Sequence, residues 1–199
     1  MSNITDVLIN QFIVYLLVFI RMTSLFVISP IFGRQNMPPY LKIGLALFTT
    51  FIIAPLLGNI EIQYTSFIDF TLIIIKEMFV GVIIGYVSYL VFSSLFVAGQ
   101  IIDTQIGFGM INVLDPQSNI QVPLIGNFLY ILATLIFIYA DGHHILFSAI
   151  AKSYNIVPIN SLFFTKEMIN NLIGIFSETF LMAIKIAFPV IAAVLISEV

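Results

Sequence analysis

The 199-residue chain is 60% apolar and only 9% charged, with a mean hydropathy of +1.13, against roughly 25% charged residues in an ordinary soluble domain. Seven basic and ten acidic side chains cannot cover a soluble fold of this length that carries twenty phenylalanines, so a soluble fold is excluded and lipid or protein must cover the remainder. A net charge of -3 without a basic cluster points away from nucleic acid and from anionic headgroups, and the lack of cysteine removes disulfides, thiolate metal sites and a cysteine nucleophile.

The start, Met1-Ser2-Asn3-Ile4-Thr5-Asp6, has no basic side chain of the kind a secretory signal needs, so the first apolar segment is expected to stay in the mature chain. A helix of about 20 mostly apolar residues crosses a bilayer, and the first such stretch runs over 7–29 and is stopped by Pro30. The second, 40–57, opens at Pro38-Pro39 and closes at Gly58-Asn59. The third, 67–98, is long for one untilted crossing; it must tilt, bend or extend past the hydrocarbon, with Gly81 and Gly85 as bend points. The longest polar interruption, 103–121, follows. Further stretches lie at 122–140 and 172–197, with a shorter, ambiguous run at 143–157 between Asp141-Gly142 and Pro158. There is no repeat, low-complexity tract or soluble domain. The pattern predicts an all-α, polytopic membrane protein with one helical membrane domain over 1–199. Orientation is weakly signalled: Arg34 and Lys42 favour a cytoplasmic first loop, while Glu61 and Asp69 carry no strong information.

Arg21, Lys76, Glu77, Glu178 and Lys185 lie inside apolar segments, where an ionised group costs at least about 2.5–3.5 kcal/mol at the bilayer centre. They are expected to face protein or water, with buried pairing for Arg21 and Glu77, and snorkelling as the alternative for Lys185 and Lys42. Adjacent Lys76 and Glu77 diverge by about 100° on a helix, which predicts two different partners rather than a mutual bridge. Glu178 and Lys185, two turns apart on one face, are placed to engage one partner surface. Gly81, Gly85 and Ser88 form a small-residue strip that allows another helix to approach closely.

Residues Gly99 to Pro116 break the apolar pattern without becoming a hydrophilic linker. Backbone of this kind cannot face lipid and must be buried in protein or line an aqueous cavity, which makes it a gate candidate. Gly107 and Gly109 permit a compact loop, Phe108, Met110 and Ile111 supply adaptable apolar bulk, and Asp115-Pro116 sets a turn or helix start. Asp141-Gly142-His143-His144 invites a metal reading, but adjacent histidines diverge on a helix and no HExxH pattern occurs, so a hydrogen-bonded helix start is preferred. No catalytic triad spacing and no phosphate loop is present, so no enzyme activity and no cofactor is expected.

Taken in order, Arg21, Pro30-Ile31-Phe32, Pro38, Lys42-Ile43-Gly44-Leu45-Ala46, Ala54-Pro55, Glu77, Gly81, Gly85, the Gly99–Pro116 loop, Pro123, Phe137, Gly142-His143 and Pro158 resemble the FliR/SctT family of type III export-apparatus proteins. The most specific part is Gly-x-x-x-Asp-x-Gln-x-Gly-(x)7-Asp-Pro, from Gly99 to Pro116, with the later Gly-His. The resemblance runs essentially from end to end. It implies a helical-hairpin subunit that assembles with FliP-like and FliQ-like chains, and a larger export switch protein, into a spiral around a pore in the bacterial inner membrane at the flagellar basal body. Unfolded proteins would pass through that pore, the loop matching Gly107 to Pro123 would act as the plug, and the intramembrane charges would be inter-subunit contacts. Family members continue past the segment matching Phe188-Pro189 to Val199, so the chain is expected to lack the family's C-terminal segment. The main rival is a secondary transporter built around Asp103 and Glu77, although no two matching halves are visible. A second is a membrane metalloenzyme using Asp141, His143 and His144.

Overall fold

A computed structural model describes residues 3–33, 37–58, 60–62, 64–108, 123–162 and 165–197. Six α-helices appear among them: α1 (Asn3–Ile28), α2 (Pro39–Ile53), α3 (Phe67–Ile106), α4 (Leu124–Tyr139), α5 (Gly142–Ile156) and α6 (Lys166–Ser197), and a 3-10 turn, Ala54–Leu57, continues α2. No strand occurs among the described residues. The span from Thr5 to Ile28, the span from Pro39 to Leu57, and α6 are each long and apolar enough to cross a membrane; α4 and α5, taken as one broken span, make a fourth. The protein is thus all-α and polytopic.

Element ends follow local chemistry. Pro38, extended at φ -64° and ψ 143°, precedes α2, whose first residue is also proline, because proline suits the first turn and cannot sit further in. Gly58 ends the 3-10 turn at φ +68°, a region that glycine enters without the Cβ penalty. α3 is longer than the apolar run that announces it: it continues through the Gly99–Ile106 stretch of the polar interruption and stops at Gly107, φ +86°. Its 40 residues would measure about 60 Å, twice the roughly 30 Å hydrocarbon thickness. The ambiguous run at 143–157 is a helix of its own, α5, begun after Asp141 takes φ +54°.

The chain divides into two compact units, 1–88 with 143–164, and 89–142 with 165–199. In the first, Val14, Val18, Met22, Leu25 and Phe26 of α1 pack with Ala46 and Ile53 of α2 and with Leu146, Ile150 and Tyr154 of α5. Phe26 meets Phe32 edge-on at 5.2 Å and Phe147 at 6.1 Å. On the opposite side of α1, Ile13 and Leu17 pack on Ile73 of α3. In the second unit Phe92 of α3 stacks on Tyr130 and Phe137 of α4, at 5.8 and 5.6 Å. Ser94 of α3 lies 4.0 Å from the Met182 sulfur of α6.

Candidate functional site

Among the described residues the first unit buries an ion pair, Arg21 and Glu77, and the second a single carboxylate, Asp103, and the two solve the resulting electrostatic problem differently.

In the first unit Ile73, Glu77, Gly81 and Gly85 recur every four residues and so share one face of α3. The two glycines let α1 come to backbone contact. A Cβ on Gly81 would collide with the Arg21 carbonyl oxygen and the Ser24 hydroxyl, and one on Gly85 would lie 3.1 Å from the Leu25 carbonyl oxygen. That closeness delivers Arg21 to Glu77. Both are buried, at 0% and 1% exposure; the guanidinium donates from Nε at 2.7 Å to the carboxylate oxygen Oε2, and Nη2 lies 2.6 Å from the same oxygen. The remaining guanidinium donors reach α5: Nη1 to Ser153 Oγ at 3.1 Å, and Nη1 and Nη2 to the Val157 carbonyl at 3.2 Å each. The Tyr154 ring lies flat beneath the charge, 3.9 Å from Cζ. The other carboxylate oxygen, Glu77 Oε1, accepts from the Asn160 amide at 3.1 Å. Asn160 takes a left-handed φ of +66°, and its carbonyl and side-chain oxygens accept from Lys76 Nζ at 3.2 and 3.0 Å.

This network closes α1, α3 and the turn after α5 around a single ion pair, with hydrogen bonds on both carboxylate oxygens and on every guanidinium nitrogen. Such completeness is the condition under which a buried pair is tolerated. Lys76 and Glu77, expected to find two different partners, both bond Asn160. Among the described residues the buried Tyr154 hydroxyl finds no hydrogen-bond partner.

In the second unit the buried carboxylate is Asp103, in the last turn of α3. It accepts from the Ile125 amide, 3.1 Å to each oxygen, and from the Gly126 amide at 3.3 Å. These amides belong to the first turn of α4, where helix donors have no partner within the helix. The N-cap position is Pro123, whose side chain makes no capping bond. One turn before Asp103, Gly99 meets Gly126 backbone to backbone; a Cβ there would collide with the Gly126 Cα. α3 therefore exits, and α4 begins, at a tied crossing.

The other sequence-predicted positions are placed less centrally. Ser88 donates only to the Ile84 carbonyl of its own helix, at 3.1 Å. Glu178 and Lys185 are exposed on α6. Gly107 closes α3, its amide donating to the Thr104 carbonyl at 3.3 Å, and Phe108 is exposed. Gly109, Met110, Ile111, Asp115 and Pro116 lie outside the described residues. His143 and His144 start α5 with ring centroids 4.2 Å apart. Sequence reasoning did not single out Ser153, Tyr154, Asn160 or Gly126 as site residues, and it held Asp103 only as part of the Gly99–Pro116 motif and as the centre of a rival transporter reading. The missing signals were the four-residue interval Glu77-Gly81-Gly85, which aims the carboxylate and the glycines at one helix, and a proline at an N-cap, which demands a cap from elsewhere.

The fold and these two sites define an all-α, polytopic membrane protein whose buried charges hold its own helices together and in which the last turn of α3 is bonded to the first turn of α4. Within that class the chain belongs to the bacterial export proteins, family 1, whose model matches residues 12–199. This is the FliR/SctT family. It is 34% identical over 196 residues to the flagellar biosynthetic protein FliR of Bacillus subtilis (strain 168), covering 96% of this chain and 74% of that one. It is 28% identical over 176 residues to the FliR of Escherichia coli (strain K12), covering 88% and 67%. The surface presentation of antigens protein SpaR of Shigella flexneri is 29% identical over 101 residues, 51% of this chain and 39% of that one. The chain is a component of a type III export apparatus.

Proposed function

We propose that this protein is a non-enzymatic subunit of the flagellar export gate in the bacterial inner membrane, at the basal body, and that it forms a channel for unfolded proteins with FliP-like and FliQ-like chains and a larger switch protein. The observation that carries the reading is the match along 96% of the chain to a flagellar biosynthetic protein. In this reading the segment from Gly107 to Pro123 is the stopper of the channel. Its support is the polar, glycine-rich composition between two apolar helices, which needs protein or water around it rather than lipid. The exposed Glu178 and Lys185 of α6 are then contacts to neighbouring subunits.

The transporter reading is weaker. Both oxygens of Glu77 and both of Asp103 already accept hydrogen bonds from groups of the chain itself, with which a substrate or coupling ion would have to compete.

Co-expression with FliP-like and FliQ-like chains tests the proposal. A stoichiometric complex on purification is expected, and deleting residues within 109–122 should raise its permeability to small ions in vesicles. Separate elution of the chains, or an unchanged permeability on deletion, would remove the assembly or the stopper respectively.

A further inference from the structure

We propose that the cavity at the start of α1 receives a lysine or arginine side chain from an apolar segment of a neighbouring subunit, with Asp6 and Glu61 as its countercharges. The inference rests on the export-gate reading for what that neighbour is, and it gives the first unit a docking site whose lining does not include the Arg21–Glu77 network.

The cavity measures about 580 Å³ and lies within the first unit, where α1 begins and the 3-10 turn after α2 ends. That volume falls in the span of roughly 300–1,000 Å³ usual for ligand pockets. One wall comes from α1, on which Asp6, Asn10 and Val14 recur every four residues and so share a face. Another comes from residues 60–62, which belong to no helix or strand, and Asn10 holds them in place. Its Nδ2 donates to the Ile60 carbonyl at 2.6 Å, and its Oδ1 accepts from the Ile62 amide at 3.1 Å. The side chain thus satisfies backbone groups that have no regular element to pair with, and it pins the chain on both sides of Glu61. The site is shaped before an occupant arrives, which lowers the cost of binding.

The lining decides the chemistry of that occupant. Asp6 and Glu61 share it with no basic side chain, and the sequence holds no lysine or arginine in 1–20 or 43–75. Tyr15 adds an aromatic wall, its ring centroid 5.8 Å from that of Phe51, and such a ring attracts a cation over its face. Val14, Pro55 and Ile62 offer apolar surface to a long aliphatic stem. Charge and apolar surface together match the two parts of a lysine or arginine side chain. A phospholipid headgroup matches less well, because its phosphate finds no cationic group on the lining. Asp6 is also the second residue of a membrane-length span and is exposed, so a countercharge from a neighbour neutralises it where lipid cannot.

The test uses the complex purified with FliP-like and FliQ-like chains. Asp6→Lys with Glu61→Lys is expected to lower the co-purified partner roughly tenfold, because like charges then meet at the site. Asp6→Asn with Glu61→Gln removes the attraction without adding repulsion and is expected to lower it less. The unfolding temperature of the chain alone in detergent should stay level for both, which separates lost docking from lost fold. Because the chain lacks cysteine, a benzophenone maleimide attached at Gln11→Cys, also on the lining, reports what sits there, even where the charge-reversed variant does not fold. Crosslinking to a subunit within a few residues of a lysine or arginine is expected, and changing that residue to glutamate should restore co-purification with the charge-reversed variant. Crosslinking only to lipid, or to protein without a basic residue nearby, would overturn the inference, as would full co-purification of the charge-reversed variant. Each of these leaves the export-gate reading intact, since an assembled complex is in hand. Chains that elute separately without any substitution would bring down that reading, and the inference with it.

Discussion

The Arg21–Glu77 network and the Asp103 tie bury the same kind of group, an ionised side chain in an apolar helical protein, and they neutralise it with opposite means. The first supplies a full countercharge, a π face and side-chain and backbone acceptors from three elements. The second supplies only backbone amides at a helix start. The difference lies in what remains when the central residue is lost. Without Arg21, Glu77 is an uncompensated buried anion; without Asp103, the orphans are neutral amides. The first unit is therefore built to be costly to open, and the second carries a joint that opens at lower cost.

The sharpest way to break that contrast is Arg21→Ala, expected to cost about 3–5 kcal/mol because it strands a buried charge. Thermal unfolding in detergent should show it as the largest shift of the set. Changing both partners, Arg21→Met with Glu77→Leu, should recover a large part of the loss. No recovery would mean that the contacts to Ser153 and Val157, rather than the charges, hold the unit together.

Gly81→Ala and Gly99→Ala come next. Each adds a Cβ against fixed backbone, for which overpacking costs typically about 1–3 kcal/mol. Gly44 and Gly174 provide the control: nothing lies near an added Cβ at either position. Alanine there should be neutral or gain up to about 1 kcal/mol from helix propensity. Equal effects at all four positions would show that the crossings are not close contacts in solution.

Asp103→Ala is expected to cost about 1–2 kcal/mol of stability, the usual size of a lost N-terminal cap and well below the Arg21 effect. A loss as large as that of Arg21→Ala would erase the distinction between the two regions. Smallest is Tyr154→Phe. The hydroxyl it removes has no partner, so stability should stay level or rise by less than about 1 kcal/mol in the same unfolding assay. A marked loss would place an unseen partner, such as a water, at that oxygen.

Much of the fold was legible because apolar run length and proline or glycine punctuation are local signals. Pro38-Pro39 marked the start of α2, Gly58 its close, and Pro158 the end of the α5 region, each within a few residues of the structure. The end of α3 was not legible by the same route. Gly99, Gln100, Asp103 and Thr104 read as a polar break, yet they stay helical because the face carrying Gly99 and Asp103 is satisfied by α4. The charges were legible as a problem but not as a solution: burial of Arg21 follows from its apolar flanks, whereas Ser153, Tyr154 and Asn160 lie more than 130 positions away from it and carry no local mark. Asn160 in particular accepts Lys76 and donates to Glu77 only because of a left-handed backbone step, which composition does not announce.

The long final helix α6 has a consequence for the life of the chain in the cell. Only Ala183 and Ala187 of it are buried, and Glu178 and Lys185 are exposed along it beside phenylalanines. Acyl chains coat the aromatic rings without loss but tolerate the two ionisable groups poorly. On the export-gate reading proposed above, a copy without its neighbouring subunits leaves that flank uncovered, and its abundance should track the supply of those subunits rather than its own rate of synthesis.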